Sequence, residues 1–124
     1  MADELQLGDN MRGYLAVAAL RELDRIVRTM GGQAGSPYHL AGLGDLITTA
    51  TSEDSHHHEL GRMLARESVD AIEGEGIHTL EMVSRHCLFN TKDYPLFQLI
   101  GDIVRSPQHV RIRIDAYLQQ VYSW

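Results

Sequence analysis

The chain holds a single cysteine, Cys87, so no disulfide can form within it and the fold must come from packing alone. That thiol stands between His86 and Leu88 in an apolar helical stretch, which predicts a buried, inert side chain. No apolar run approaches the roughly 20 residues of a membrane-spanning helix. Basic residues are also scarce. Eleven Lys and Arg against 17 Asp and Glu give a formal net charge of −6, with no basic block. The nearest approach to a basic stripe is Arg105, Arg111 and Arg113, interleaved with acids and apolar residues, which argues against nucleic acid as a partner. Lys92 is the only lysine. Met1 is followed by Ala2, Asp3 and Glu4, not by a basic leader, so the expectation is a soluble cytoplasmic protein.

What is present suffices for one domain: 124 residues, 44% of them hydrophobic, can bury a core without staples. The pattern is helical almost throughout. From a cap at Asp9 or Asn10, apolar positions such as Met11, Tyr14, Leu15, Ala18, Leu23, Ile26 and Met30 recur, with Arg21, Glu22, Asp24, Arg25 and Arg28 between them. Gly31-Gly32 ends that helix. Ser36-Pro37 reads as cap and first helical residue of a second helix over 37–50. A third runs from a cap at Asp54 or Ser55 through Leu60, Met63 and Leu64 to Glu67, and a short helical turn follows over 69–73. A helix over 77–88 turns Leu80, Val83 and Cys87 inward. Residues 90–94 loop out, and Pro95 opens a helix with Phe97, Leu99, Ile100, Ile103 and Val104 apolar. Ser106-Pro107 repeats the cap-and-proline start for a last helix carrying Val110, Ile114, Tyr117, Leu118 and Val121. The run from Val110 to Ile114 also alternates like a strand, but the following Asp115-Ala-Tyr-Leu-Gln-Gln favours helix. The expectation is one compact all-α domain without strand pairs or repeats.

Residues 42–51 carry the densest chemistry. Gly42 and Gly44 bracket Leu43 and allow close approach of the backbone. On a helix, Asp45 and Thr49 share a face, while Leu43, Leu46, Ile47 and Ala50 cover most of the rest. A carboxylate and a hydroxyl fixed on an apolar helix suit a small polyol. The plainer reading makes Asp45 a capping group in ordinary packing.

Several ordered segments resemble the C-terminal helical domain of the NAD-dependent glycerol-3-phosphate dehydrogenases, and with it the 6-phosphogluconate dehydrogenase type of helical domain. Leu7-Gly8-Asp9-Asn10 and the helix after it resemble the family's Leu-Gly-Asp-Asn helix. Ala41-Gly42-Leu43-Gly44-Asp45-Leu46, with Thr49 and Thr51, matches its most specific motif. The stretch from Ser55 to Gly61 occupies the place of a Ser-Arg-Asn-Arg segment ending in Gly. Glu75-Gly76-Ile77-His78-Thr79 resembles Glu-Gly-Val-Arg-Thr, and Tyr94-Pro95-Leu96 resembles Met-Pro-Ile. The resemblance implies that Asp45 and Thr49 contact glycerol hydroxyls. It places His56 and His57 where an Arg-Asn pair holds the phosphate, and Glu75 near the nicotinamide cofactor. Hydride would pass between that cofactor, held by an N-terminal Rossmann domain, and glycerol 3-phosphate or dihydroxyacetone phosphate.

Three departures qualify that expectation. The chain has no Gly-x-Gly-x-x-Gly fingerprint or βαβ unit, so NAD(P) is implied only with a Rossmann partner. The family's acid/base lysine would lie before Met1. Third, His56 and His57 stand at the Arg-Asn pair and His58 at the arginine after it, so histidines replace both permanent cations of that segment. Histidine, with a reference pKa of about 6.5, is at most partly charged near neutrality, and crowding at a helix start disfavours its protonation further. Phosphate binding is therefore expected to be weak and to strengthen below about pH 6.5. As metal ligands the histidines offer only His56 with Glu59 at a usable i,i+3 spacing, so no native metal site is expected. The expected roles are assembly as a homo-oligomer such as a dimer, or partnership with a Rossmann chain, the isolated chain being inactive. The alternative is a phosphate-ligand or metal-binding module built on the cluster from His56 to His58.

Overall fold

The computed structural model describes residues 1–52, 55–68 and 75–122, without the side chains of Glu75 and Tyr122. Six α-helices and no strand occur among the described residues: α1 (Asp9–Thr29), α2 (Asp45–Thr51), α3 (His56–Ala65), α4 (Glu75–His86), α5 (Pro95–Arg105) and α6 (Val110–Tyr122). None is long and apolar enough to cross a membrane.

The core lies where α1, α3, α5 and α6 meet. Leu64 from α3, Leu96 and Ile103 from α5, and Val110, Ile114, Tyr117 and Leu118 from α6 form one buried cluster. Ile103 and Val110 are its most enclosed side chains. Met11, Tyr14, Leu15 and Ala18 of α1 pack on it, as do Met1, Leu5 and Leu7 from the turns before α1. The buried positions of α6 recur at i, i+4, i+7 and i+8, while Ile112 is left 67% exposed. That spacing is helical, so the strand-like alternation from Val110 to Ile114 is incidental.

Two carboxylates cap helices across the fold. Glu22 on α1 accepts the Leu96 and Phe97 backbone N–H groups at 2.8 Å each. The Tyr94 carbonyl takes the Gln98 N–H at 2.9 Å, and Pro95 has no N–H to satisfy. Every donor in the first turn of α5 is thus engaged. Glu67 in turn accepts the N–H of Val110 at the start of α6, at 3.1 Å.

Boundaries differ from the expected ones where long-range contacts intervene. The N-cap of α1 is Gly8, at φ 82, not Asp9 or Asn10; Asp9 lies inside the first turn and pairs with Arg12. The second helix, expected over 37–50, is three pieces: a 3-10 turn Ser36–Tyr38, an extended His39, and a π turn Leu40–Gly44 leading into α2. The third helix stops at Ala65 because the chain enters the left-handed region at Glu67, φ 55. The last helix begins three residues beyond Pro107, after His109 at φ 53. The expected turn over 69–73 lies outside the described residues.

Cys87 also departs from expectation. It follows the last residue of α4 at φ 48, the left-handed position that ends a helix, and this turns its thiol outward to solvent. Val83, one turn earlier, is buried as expected. Ellman's reagent is accordingly expected to titrate one thiol per native chain without denaturant; protection of that thiol until unfolding would contradict the placement.

Candidate functional site

The segment Ser36–Thr51 turns the chain sharply and presents α2 on the surface. Gly35, at φ 82, precedes the 3-10 turn. Pro37 is buried, and its backbone lies against Gly42 with no room for a side chain: a Cβ there would stand 2.7 Å from the Pro37 Cα and closer still to its carbonyl oxygen. This contact folds the π turn back onto the 3-10 turn and sets the direction in which α2 leaves. The wider π turn accommodates the extra residue that the return requires.

Asp45 is the first residue of α2 and is exposed; Thr49, one turn on, is half-buried on the same face. The N-cap of α2 is Gly44, with no side-chain cap, so Asp45 does not serve as a cap. The neighbouring hydroxyls are consumed locally: Thr48 donates to the Gly44 carbonyl at 3.0 Å and Thr51 to that of Ile47 at 2.8 Å. Thr49 makes no such bond, and neither Thr49 nor the Asp45 carboxylate has a hydrogen-bond or ionic partner among the described residues. One carboxylate and one hydroxyl on one helix face are therefore left for something else.

α3 packs beside α2. Its N-cap, Ser55, gives its carbonyl to the N–H groups of His58 and Glu59, and among the described residues no side chain caps that helix end. His56 and His57 are exposed in the first turn, and His58 is half-buried. The Glu59 carboxylate is taken by Arg62, at 2.9 Å from Nη2 and 3.1 Å from Nε. No group of three or more His, Cys, Asp or Glu side chains converges on a metal position among the described residues. Glu75 opens α4, but its side chain lies outside the described residues.

One residue that supports this region had no local signal. Asp24 of α1 is buried, accepts the Gly35 N–H at 2.6 Å and pairs with Arg28 at 2.5 Å. The Gly35 N–H and then the Arg28 guanidinium hold its carboxyl below the usual carboxylate value, against the opposing effect of burial. A carboxyl depressed in the fold adds stability that is complete above its ordinary value and is lost as pH falls through the depressed one. In sequence, Asp24 reads as one more charge on a solvated face.

The fold is that of an all-helical domain in which a glycine-bracketed turn leads into the short surface helix α2. A family model described as "NAD-dependent glycerol-3-phosphate dehydrogenase C-terminus" matches residues 1–114, and the chain belongs to this family. It is similar to the glycerol-3-phosphate dehydrogenase (NAD(P)+) of Deinococcus radiodurans, 34% identical over 109 residues, covering 86% of this chain and 33% of the relative. The enzyme of the same name from Rhodospirillum rubrum is 31% identical over 127 residues, covering 97% and 36%. That of Thermus thermophilus is 42% identical over 79 residues, covering 62% and 24%. The chain thus spans about a third of the length of the first of these relatives. No solved structure matches it.

Proposed function

We propose that this chain forms the substrate side of a glycerol-3-phosphate dehydrogenase site. Asp45 accepts a hydrogen bond from a glycerol hydroxyl, Thr49 bonds the neighbouring one, and the start of α3 with His56 and His57 receives the phosphate. The observation that carries the reading is the uncommitted pair on α2: Thr48 and Thr51 satisfy their own hydroxyls, whereas Asp45 and Thr49 remain free among the described residues.

The family's cofactor is a separate matter. A dinucleotide needs a strand, a glycine-rich turn and a helix N-terminus in sequence. The described residues contain no strand, and Gly42-Leu-Gly44 continues as Asp-Leu-Ile without a third glycine. These residues do not fit the dinucleotide. A Rossmann domain brings the cofactor, the proton carrier and a contact for Glu75. Its expected place is over the π turn and α2, where Leu40 is 86% exposed and Ile47 54% exposed beside the polyol face. The isolated chain binds without turnover, in the cytoplasm where the phosphorylated substrate is held.

Titration of the chain with glycerol 3-phosphate, followed by amide NMR, tests this. The amides from Leu43 to Thr51 and from Ser55 to His58 are expected to shift together, with a Kd in the millimolar range, about −4 kcal/mol. Asp45→Asn weakens binding about tenfold, the loss of one charge-assisted hydrogen bond. Inorganic phosphate shifts only the start of α3. Equal affinity in wild type and Asp45→Asn would contradict the assignment.

A further inference from the structure

We infer that Asp24, on α1 and outside the ligand face, is the positioning residue for Asp45 and Thr49, through the contact series Asp24, Gly35, Pro37 and Gly42. The inference deepens the functional reading above and rests on it for its ligand, but its structural half stands independently.

Asp24 bonds Gly35, the 3-10 turn closed by the Gly35 carbonyl on Tyr38 carries Pro37, and Pro37 meets Gly42. Asp24 is the one buried charged side chain among the described residues. One of its carboxylate oxygens receives the Gly35 N–H at 2.6 Å and the other receives Arg28 at 2.5 Å, so both oxygens are engaged. Gly35 is the hinge into the 3-10 turn: its carbonyl takes the Tyr38 N–H at 3.0 Å, and its φ of 82 lies where only glycine is unstrained. That turn holds buried Pro37, whose backbone abuts Gly42. Gly42 lies inside the π turn, where the His39 carbonyl takes the N–H groups of both Gly42 and Gly44 at 3.2 Å. Gly44 is the N-cap of α2. A displacement at Gly35 therefore passes through backbone atoms alone to the first residue of α2, with no flexible side chain to absorb it.

The placement also explains why a charge is buried here. The segment from Gly31 to Gly44 contains five glycines and carries no helix of its own long enough to fix it. A carboxylate that accepts a backbone N–H and is itself clamped by an arginine is a directional anchor, which an apolar contact would not be.

Three variants separate positioning from mere stability. Asp24→Ala removes both bonds. Asp24→Asn keeps an acceptor for the Gly35 N–H and loses the ion pair. Arg28→Gln removes the cation alone. Amide hydrogen exchange is read on each folded variant, in parallel with glycerol 3-phosphate titration. Asp24→Ala is expected to lose protection at Gly35, Tyr38, His39, Gly42 and Gly44, with Ile103 and Ile114 unchanged, and to weaken ligand binding about tenfold. Asp24→Asn restores most of both, and Arg28→Gln has the smallest effect. Unchanged exchange over 35–44 in Asp24→Ala, or an equal loss in α5 and α6, overturns the inference. If Asp24→Ala does not fold, Asp24→Asn and Arg28→Gln decide it: a larger exchange change over 35–44 in Arg28→Gln than in Asp24→Asn overturns it. If wild type binds no glycerol 3-phosphate, the functional reading fails, while the exchange pattern still judges the positioning claim.

Discussion

Gly42→Ala is expected to destabilise the fold by about 3 kcal/mol, the upper end of the cost of overpacking, and to abolish glycerol 3-phosphate binding. The added methyl group would meet three backbone atoms of Pro37, the nearest its carbonyl oxygen. A backbone cannot rotate away as a side-chain tip can, so either the 3-10 turn or the π turn must move. Movement of the π turn carries α2 and the Asp45–Thr49 face with it, which is why binding and stability fall together. The control is Gly13→Ala. Gly13 is exposed within α1, and nothing lies within 4 Å of its missing Cβ. There the helix gains about 0.5–1 kcal/mol, with binding unaffected. Thermal denaturation of both variants gives the comparison; two alanines of equal effect would show that the Pro37–Gly42 contact does not exist in solution.

Glu22→Ala is expected to cost a similar amount, about 3 kcal/mol, from two hydrogen bonds to a charged acceptor at about 1.5 kcal/mol each. Both carboxylate oxygens sit 2.8 Å from N–H groups at the start of α5. Leu96, which donates one of them, is also part of the buried cluster. Its N–H cannot turn to water without withdrawing the side chain from the core. The mutation therefore leaves at least one donor unsatisfied and loosens α5 against α1. Glu22→Gln keeps one acceptor and loses about half as much. Hydrogen exchange localises the effect: the Leu96 and Phe97 amides lose protection first, and full protection there in the alanine variant would remove the claim.

How far the chain could be read in advance depends on the range of the interactions involved. α5 is legible from Pro95, which starts it, and from Leu99 and Ile103 on one side, although Leu96 is buried in place of the expected Ile100. α1 was legible because Gly31 stops it. Asp45 and Thr49 were legible as a pair because the four-residue spacing is local. That they stay free was not, since it depends on where Thr48 and Thr51 send their hydroxyl protons. The break at His39 was hidden because propensity along 37–50 says nothing of Pro37 meeting Gly42. Asp24 and Glu22 looked like solvated charges because their partners, Gly35 and Leu96, lie 11 and 74 positions away. Cys87 departs from the helical periodicity because the backbone turns left-handed at that residue, which no sequence pattern marks. The local pattern suggests only a small polyol for that face, and the resemblance narrows this to the proposed ligand, glycerol 3-phosphate.

The most direct test is the crystallographic position of glycerol 3-phosphate bound to this chain. A glycerol hydroxyl is expected about 3 Å from the Asp45 carboxylate, a second hydroxyl at Thr49, and the phosphate against the first turn of α3 at His56 and His57. Ligand seated elsewhere, or reversed so that the phosphate faces Asp45, would contradict this placement.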